Sequence, residues 1–384
     1  MDNSPFCFGI PVKTPFFTSR KKESGRLTSD FNSGVHSAIV APRGTGKTSL
    51  MLHQIAQIGK NGVKTAYLDL TLVKTSSDFF KTYAEAIIRA FSPDVEIAVK
   101  LSDKFLTRLR PKVVQMGPGP HPVSLDFEIE FDLNDKATIL SLPERLAIEE
   151  GCKLFVGIDE FQQTLWYEDA ELIYELMGKE LKESRHSIHC FALNHEEAVR
   201  KLKLIEGKET SGTLDIFELD SISEEEWREY IQHRFSATGK TISMPLAEKI
   251  SRAVGCQSEY VQQLAWLVWA HSPNYAIEQS FRNAMHDLFE HNTPYYNTLL
   301  RNLTGYQLNF LKALLDGVAK GFTRRDNMKK YGLGTSANVK VIKEALLKKE
   351  IIEVKENDCH ITDKVFKEWL KRRLLINTES LAAQ

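Results

Sequence analysis

The 384-residue sequence carries 50 Lys and Arg against 51 Asp and Glu, a formal net charge of −1, with 42% apolar and 26% charged residues. A chain of this length exceeds one ordinary core and divides into two or three domains, and its balanced charge exerts no global pull toward nucleic acid or an anionic membrane. No apolar run of about 18 or more residues occurs, and the start, Met1-Asp2-Asn3-Ser4-Pro5-Phe6, lacks a charged-then-apolar leader, so a cytoplasmic protein without membrane contact is expected. The five cysteines (Cys7, Cys152, Cys190, Cys256 and Cys359) are scattered and lack C-x-x-C spacing, which suits small core residues in a reducing compartment rather than a disulfide or zinc framework.

The opening stretch, Phe6 to Arg26, mixes Pro11 and Pro15 with aromatic residues and a basic cluster, Arg20-Lys21-Lys22, before an amphipathic segment begins at Leu27. An apolar run follows, Ala38-Ile39-Val40, and leads into Ala41-Pro42-Arg43-Gly44-Thr45-Gly46-Lys47-Thr48-Ser49, after which a helical pattern continues through Leu50-Met51-Leu52. This is a phosphate-binding loop. Glycines at 44 and 46 let backbone N–H groups close around phosphates, and the following helix adds its positive end. Lys47 supplies a point charge to the outer phosphates, and the Thr48 hydroxyl is the candidate Mg²⁺ ligand. Ala41 stands where the strict pattern has glycine, a mild departure because that residue only starts the turn. The opening arm is expected to pack beside the nucleotide base.

Strand-like runs recur at His36–Ala41, Lys64–Leu70, Lys153–Asp159, Ser187–Leu193 and Asp215–Leu219, mostly with helical patterns between them. Five strands alternating with helices after a phosphate loop predict an α/β fold with a parallel sheet wound on both faces. Between the second and third runs, Phe79–Phe91 reads as helix, while the Pro- and Gly-rich 111–122 and the alternating Val123–Phe131 predict a β-hairpin insertion near 111–135. Its role stands open between a functional element and a decoration.

The third run ends in Leu154-Phe155-Val156-Gly157-Ile158-Asp159-Glu160. Two acids at the carboxyl end of a buried strand lie where open α/β sheets place their ligand chemistry. Asp159 is the candidate Mg²⁺ partner, and Glu160 the candidate general base for an attacking water. The fourth run ends at Asn194, a candidate for holding that water or the γ-phosphate, or alternatively a cap for the next helix. No Asn-Lys-x-Asp segment is present to read guanine, so ATP with Mg²⁺ is the expected cofactor set.

Residues 1–222 thus read as the ATPase core with its arm and insertion. From Ser223-Glu224-Glu225-Glu226-Trp227, a capping-box opening, residues 223–300 read as an all-helical lid, in which Arg252 is a candidate phosphate sensor. Residues 301–376 then give helices at Tyr306–Leu315 and Thr323–Tyr331 and a third, capped by Thr335 or Ser336, reaching Lys349. Two short strands flank Lys355–Asp358. That order predicts a winged helix-turn-helix, with 377–384 as a disordered tail. From 320 to 373 there are 15 Lys and Arg against 8 Asp and Glu, an excess that suits phosphate contacts. The recognition helix offers Ser336, Asn338, Lys340 and Lys343 for groove contact. DNA and a protein both stand as partners of this module, and oligomerisation is open, with Arg185 and Arg200 as arginine-finger candidates.

The loop Ala41 to Leu50, the segment Ile158-Asp159-Glu160-Phe161-Gln162, the stretch Tyr260-Val261-Gln262-Gln263-Leu264-Ala265 and the carboxyl region from Leu303-Thr304 to Trp369-Leu370 together resemble the archaeal-type ATPase family of prokaryotes. That family lies close to the STAND and origin-recognition branches of the AAA+ ATPases. The resemblance implies a P-loop core with a lid and a C-terminal winged helix, and an ATP-driven switch. This chain departs from the family at Leu193-Asn194, where members carry Gly-Ser, and at Gly255-Cys256-Gln257-Ser258, where they carry Gly-His-Pro. Two functions stand: an ATPase switch that couples nucleotide state to DNA or protein engagement, and a nucleotide-gated scaffold with weak or no hydrolysis and a protein partner.

Overall fold

The computed structural model describes residues 4–92, 94–115, 123–127, 130–194, 196–206 and 213–382. Strands form at His36–Val40 (β1), Lys64–Asp69 (β2), Lys112–Gln115 (β3), Val123–Asp126 (β4), Leu154–Asp159 (β5), Ser187–Leu193 (β6), Leu214–Glu218 (β7), Ile352–Lys355 (β8) and Asp358–Ile361 (β9). Packing gathers the chain into two compact units, one of Pro11–Ala41 and Thr45–Asp220, the other of Met1–Ile10, Pro42–Gly44 and Ser221–Gln384.

The first unit is built on a five-stranded sheet in the order β2-β5-β6-β1-β7, with every neighbouring pair parallel. The central strands β1, β5 and β6 are buried along their length and read as largely apolar runs, whereas the edge strands β2 and β7 are partly exposed and carry Lys64, Asp69, Asp215 and Glu218. Alternate residues divide between two cores. Ala38, Leu154, Val156, Ile158, Phe191 and Leu193 face one apolar cluster with the helix Ser76–Phe91, while Ile39, Phe155, Ile188, Cys190 and Ala192 face another with the helices Lys21–Ser33 and Lys47–Gly59. Gly157 of β5 has a role at this second interface. A Cβ there would stand 2.9 Å from Met51 Sδ and 3.0 Å from Ile55 Cδ1, so the missing side chain lets the Lys47–Gly59 helix settle onto β5.

The region of the expected insertion contains β3 and β4, paired antiparallel with Lys112 opposite Asp126. Residues 116–122 and 128–129 of that region lie outside the described residues.

One face of the sheet also buries titratable groups. His36 Nε2 donates to the Leu181 carbonyl at 2.9 Å, and His36 Nδ1 accepts from the His189 N–H at 2.9 Å. His189 Nε2 meets the Tyr83 hydroxyl at 2.8 Å. Burial pushes His36 down to about 4 and His189 well below its usual range, so both are held neutral. Glu180 is buried nearby, with Ser184 Oγ donating to it at 2.8 Å, and its carboxyl is pushed up to about 7 by burial.

The second unit is helical, with two short strands. Its helices are Glu224–Ser236, Met244–Ala253, Ser258–Ala270, Glu278–Arg301, Gly305–Leu315, Arg325–Tyr331, Ser336–Lys348 and Lys364–Ala382. The predicted capping box forms: Ser223 Oγ accepts from the Glu226 N–H at 3.2 Å, and Glu226 Oε2 accepts from the Ser223 N–H at 3.2 Å. Pro294 lies inside Glu278–Arg301 without ending it. Residues 223–300 and 301–376, expected as lid and winged helix, share one apolar core that includes Trp227, Leu264, Tyr296, Phe310, Ile342, Phe366 and Trp369. The wing is the antiparallel pair β8–β9, turned by Glu356 at φ 51° and Asn357 at φ 70°. Two left-handed residues in a row give the tight hairpin turn whose twist matches the strands.

Two expectations need correction. The backbone from 377 to 382, expected to be a disordered tail, continues the helix Lys364–Ala382, because extending an existing helix fixes few further dihedrals per hydrogen bond gained. Residues 383 and 384 lie outside the described residues. The arm is also not one piece. Residues 4–10 pack in the helical unit, where Phe6 lies edge-on to Tyr230 and Phe235 at centroid distances of 6.1 and 5.8 Å, and Phe8 is 5.3 Å from Trp266.

Glu180 gives the sheet unit a pH signature. Its folded form holds a proton up to about pH 7, whereas an unfolded glutamate releases it near 4.5. Its contribution is therefore fully present below about 4.5 and is lost as pH rises toward 7. Glu180→Gln is expected to match the wild type in denaturant midpoint near pH 4.5, and to exceed it at pH 8 by up to about 3 kcal/mol. Equal midpoints at pH 8 would show that burial imposes no such penalty.

Candidate functional site

The phosphate loop leaves β1 and enters the helix Lys47–Gly59, whose N-cap is Gly46. Gly44 at φ 79° and Gly46 at φ 104° occupy the left-handed region, so the two glycines supply the curvature the motif requires. Pro42 and Arg43 complete the loop's outer turn. Lys47 is buried, and its Nζ donates to the Ala41 carbonyl at 2.7 Å, which draws the two ends of the loop together. Ser49 faces the arm, its Oγ accepting from the Val12 N–H at 3.0 Å.

Sequence reasoning missed Arg20. In sequence it is one member of the basic cluster Arg20-Lys21-Lys22; in the structure it is 7% exposed and donates from Nη2 to the Thr45 carbonyl at 3.1 Å and from Nη1 to the Asp220 carbonyl at 2.6 Å. One guanidinium thus ties the loop to the end of the sheet unit. The signal available in sequence was slight: an arginine shortly upstream of an otherwise amphipathic helix.

The acids stand at the carboxyl end of β5, and β6 lies between β5 and β1. The Asp159 carboxylate is buried at 2% exposure; the Thr48 side chain hydrogen-bonds to it and the Tyr67 hydroxyl donates to Oδ2 at 3.2 Å. Burial raises its pKa, and the Thr48 hydrogen bond opposes that shift. A desolvated carboxylate beside a threonine hydroxyl, both hard oxygen donors at the mouth of a phosphate loop, fits a magnesium ion. Thr48 and Asp159 are the residues that could hold it.

Glu160 departs from ordinary backbone geometry. At φ 55° and ψ 37° it occupies the left-handed region that a side chain rarely adopts, at an expense on the order of 1–3 kcal/mol. Its N–H donates to Asp159 Oδ1 at 2.9 Å, and Gln162 Nε2 donates to Glu160 Oε2 at 2.5 Å. The sharp bend sends successive acids of one strand in different directions. Asn194 occupies the tip of β6, between the loop strand and the acid strand. Its Oδ1 is buried and has no hydrogen-bond partner among the described residues, so the helix-cap alternative lacks its bond there. An orphaned acceptor at this position suits a polar ligand group or water.

Other candidates are engaged elsewhere. Arg185 donates to the Lys182 and Ser184 carbonyls at 2.9 and 2.8 Å, Arg200 forks onto Glu197 at 2.7 and 2.5 Å, and Arg252 forks onto Glu224 at 3.0 and 2.7 Å. In the recognition helix Ser336–Lys348, Asn338 Nδ2 donates to the Leu333 carbonyl at 3.0 Å and Lys343 bonds to Cys359, while Lys340 and Val341 are exposed. Thr335 caps that helix, accepting from the Asn338 N–H at 3.3 Å. Among the described residues, no group of three or more His, Cys, Asp or Glu could hold a metal, and no helix is long and apolar enough to cross a membrane.

Comparison with known proteins places the architecture. Residues 294–372 match a family described as a probable winged helix domain. No curated protein matches the chain by sequence. Among solved structures, a Walker-type ATPase of Pyrococcus abyssi is similar with a TM-score of 0.66 at 15% identity, covering 96% of this chain and 99% of that one. The ORC2 protein of Aeropyrum pernix, in ADPNP and ADP complexes, has a TM-score of 0.56 at 14% identity over 96% and 99% of the two chains. The ORC1 protein of the same organism, in complex with DNA, has a TM-score of 0.53 at 12% identity over 96% and 95%. The chain therefore shares the fold of these structures, with a five-stranded parallel sheet, a helical region and a C-terminal winged helix.

Proposed function

We propose that this chain binds ATP with magnesium at residues 41–49 and hydrolyses it slowly, using the cycle to change how its winged helix engages a partner. The observation that carries the reading is the convergence at one end of the sheet: the Lys47 loop after β1, the unpartnered Asn194 Oδ1 after β6, and Asp159 with Glu160 at the end of β5. Backbone N–H groups of the loop bind the phosphates, Lys47 leaves the Ala41 carbonyl for an outer phosphate oxygen, and Thr48 and Asp159 hold the cation. Magnesium, when bound, neutralises charge developing on the phosphates. Asn194 would orient the water, and Glu160 would accept its proton as the oxygen attacks the γ-phosphorus and the bond from that phosphorus to the bridging oxygen breaks, its electron pair leaving with ADP. The ADPNP and ADP complexes of the ORC2 neighbour and the fold shared with it support the nucleotide assignment.

For the partner, the excess of Lys and Arg across 320–373 and the DNA-bound ORC1 neighbour support DNA, held through phosphates rather than base edges, since Asn338 and Lys343 are occupied. A specific observation favours the second reading, a nucleotide-gated scaffold with a protein partner. Val341, in the middle of the recognition helix, is 61% exposed, an apolar centre that phosphate contact does not need.

The catalytic assignment predicts distinct defects. Lys47→Ala should lose nucleotide binding and turnover together. Glu160→Gln should retain binding while turnover falls by roughly 100-fold or more, and Asn194→Ala should lower turnover with little change in nucleotide affinity. Mg²⁺-dependent phosphate release measured beside nucleotide binding checks all three, and equal turnover across the set would refute the assignment.

Salt separates the partners. If several Lys and Arg neutralise phosphates, affinity for duplex DNA should fall roughly tenfold or more between about 50 and 200 mM salt, with a shallower slope for Lys340→Ala. A flat curve, or no binding, would support the scaffold.

A further inference from the structure

The helical unit contains a second recessed surface that the ATP cycle does not use. A groove of about 450 Å³ lies between the helices Met244–Ala253 and Glu278–Arg301 and the carboxyl helix Lys364–Ala382. Its floor is apolar: Ala253, Phe281 and Met285. Its rim is cationic: Lys249, Arg252, Arg282 and Arg372, with His286 beside them and no acidic residue in the lining. For a protein with one net negative charge overall, such separation of sign is local.

The rim cations are held in place unequally. Lys249 pairs with Glu278 and stands 4.6 Å over the Phe281 ring, and Arg252 is forked by Glu224. Arg282 bonds to the neutral Gln279, at 2.9 and 3.2 Å, and Arg372 stacks 4.3 Å over the Phe289 ring. Among the described residues no carboxylate lies within ion-pair distance of Arg282 or Arg372. Two guanidiniums fixed on neutral partners at the edge of an apolar recess are preorganised for carboxylates, which they bind as planar forks. Aromatic and arginine side chains around an apolar centre are also the composition of binding hot spots.

We propose that this groove docks an acidic peptide segment of a partner protein, with one large apolar side chain seated on Phe281 and Met285 and flanking Asp or Glu residues on Arg282 and Arg372. A nucleic-acid backbone is the weaker occupant. It offers charge without an apolar anchor, and the floor would then be covered by nothing that prefers it. The proposal is independent of the nucleotide site: among the lining residues only Arg252 was a candidate there, and the acids of the peptide are assigned to Arg282 and Arg372.

The test uses the full chain and a fluorescent peptide of about a dozen residues in which Asp and Glu flank a central Leu-Phe pair. Anisotropy should reveal saturable binding that weakens roughly tenfold or more when the peptide's acids become Asn and Gln, and by a similar factor in the double variant Arg282→Glu with Arg372→Glu. Should that variant lose its thermal transition, the neutral pair Arg282→Gln with Arg372→Gln is measured instead, with an expected loss of several-fold. The wing variant Lys340→Glu should bind the peptide as the wild type does. Absence of saturable binding, unchanged affinity in a folded rim variant, or a rim-dependent affinity seen only for oligodeoxythymidylate would each overturn the proposal, the last by assigning the groove to nucleic acid.

Discussion

The account depends on one contact: the Thr48 side chain hydrogen-bonded to the buried Asp159 carboxylate. Thr48 lies in the first turn of the helix that the loop carries from β1, and Asp159 ends β5; β6 stands between those two strands, so the contact depends on the order of the sheet. A buried carboxylate is unfavourable unless partnered, and here the hydrogen-bond partners are a threonine hydroxyl, a tyrosine hydroxyl and the Glu160 N–H, with Lys47 near enough to favour the charge but without an arginine or lysine fork. That environment leaves a negative charge incompletely compensated at the loop that gathers phosphates, which is the condition a bound cation relieves. Packing supports it from beneath. Gly157, two residues before Asp159, removes the side chain that would lift the loop's helix from the sheet.

The site therefore joins strain with order. Glu160 in the left-handed region is held by its N–H bond to Asp159 and by Gln162, while Lys47 and Arg20 bind carbonyls of the same loop. Strained residues of this kind persist where surrounding structure over-determines them, and the neighbourhood of Glu160 meets that condition. In the helical unit the pattern differs. One apolar core runs from the helices after Ser223 into the wing, so residues near 300 mark a change in secondary structure rather than a break in packing.

Much of the sheet was legible in sequence because its central strands, β1, β5 and β6, are buried along their length and read as largely apolar runs followed or ended by polar residues. The loop, Asp159, Glu160 and Asn194 stand at the carboxyl ends of those strands. The recognition helix and hairpin were legible from caps and turn residues, Thr335 and Glu356-Asn357 among them. What escaped depends on distance in space. Arg20 is a buried tie to Thr45 and Asp220, residues far along the chain, and no local pattern distinguishes it from Lys21 and Lys22. The division of the arm escaped because Phe6 chooses partners more than 200 positions away, at Tyr230 and Phe235. The groove of Arg282 and Arg372 is likewise assembled from three separate helices.

The most direct test is calorimetric titration of a non-hydrolysable ATP analogue, with Mg²⁺ and with a chelator, into the wild type and Asp159→Asn. The account predicts that Mg²⁺ tightens binding to the wild type and has little effect on the variant. Affinity indifferent to Mg²⁺ in the wild type, or the absence of any binding heat, would contradict it.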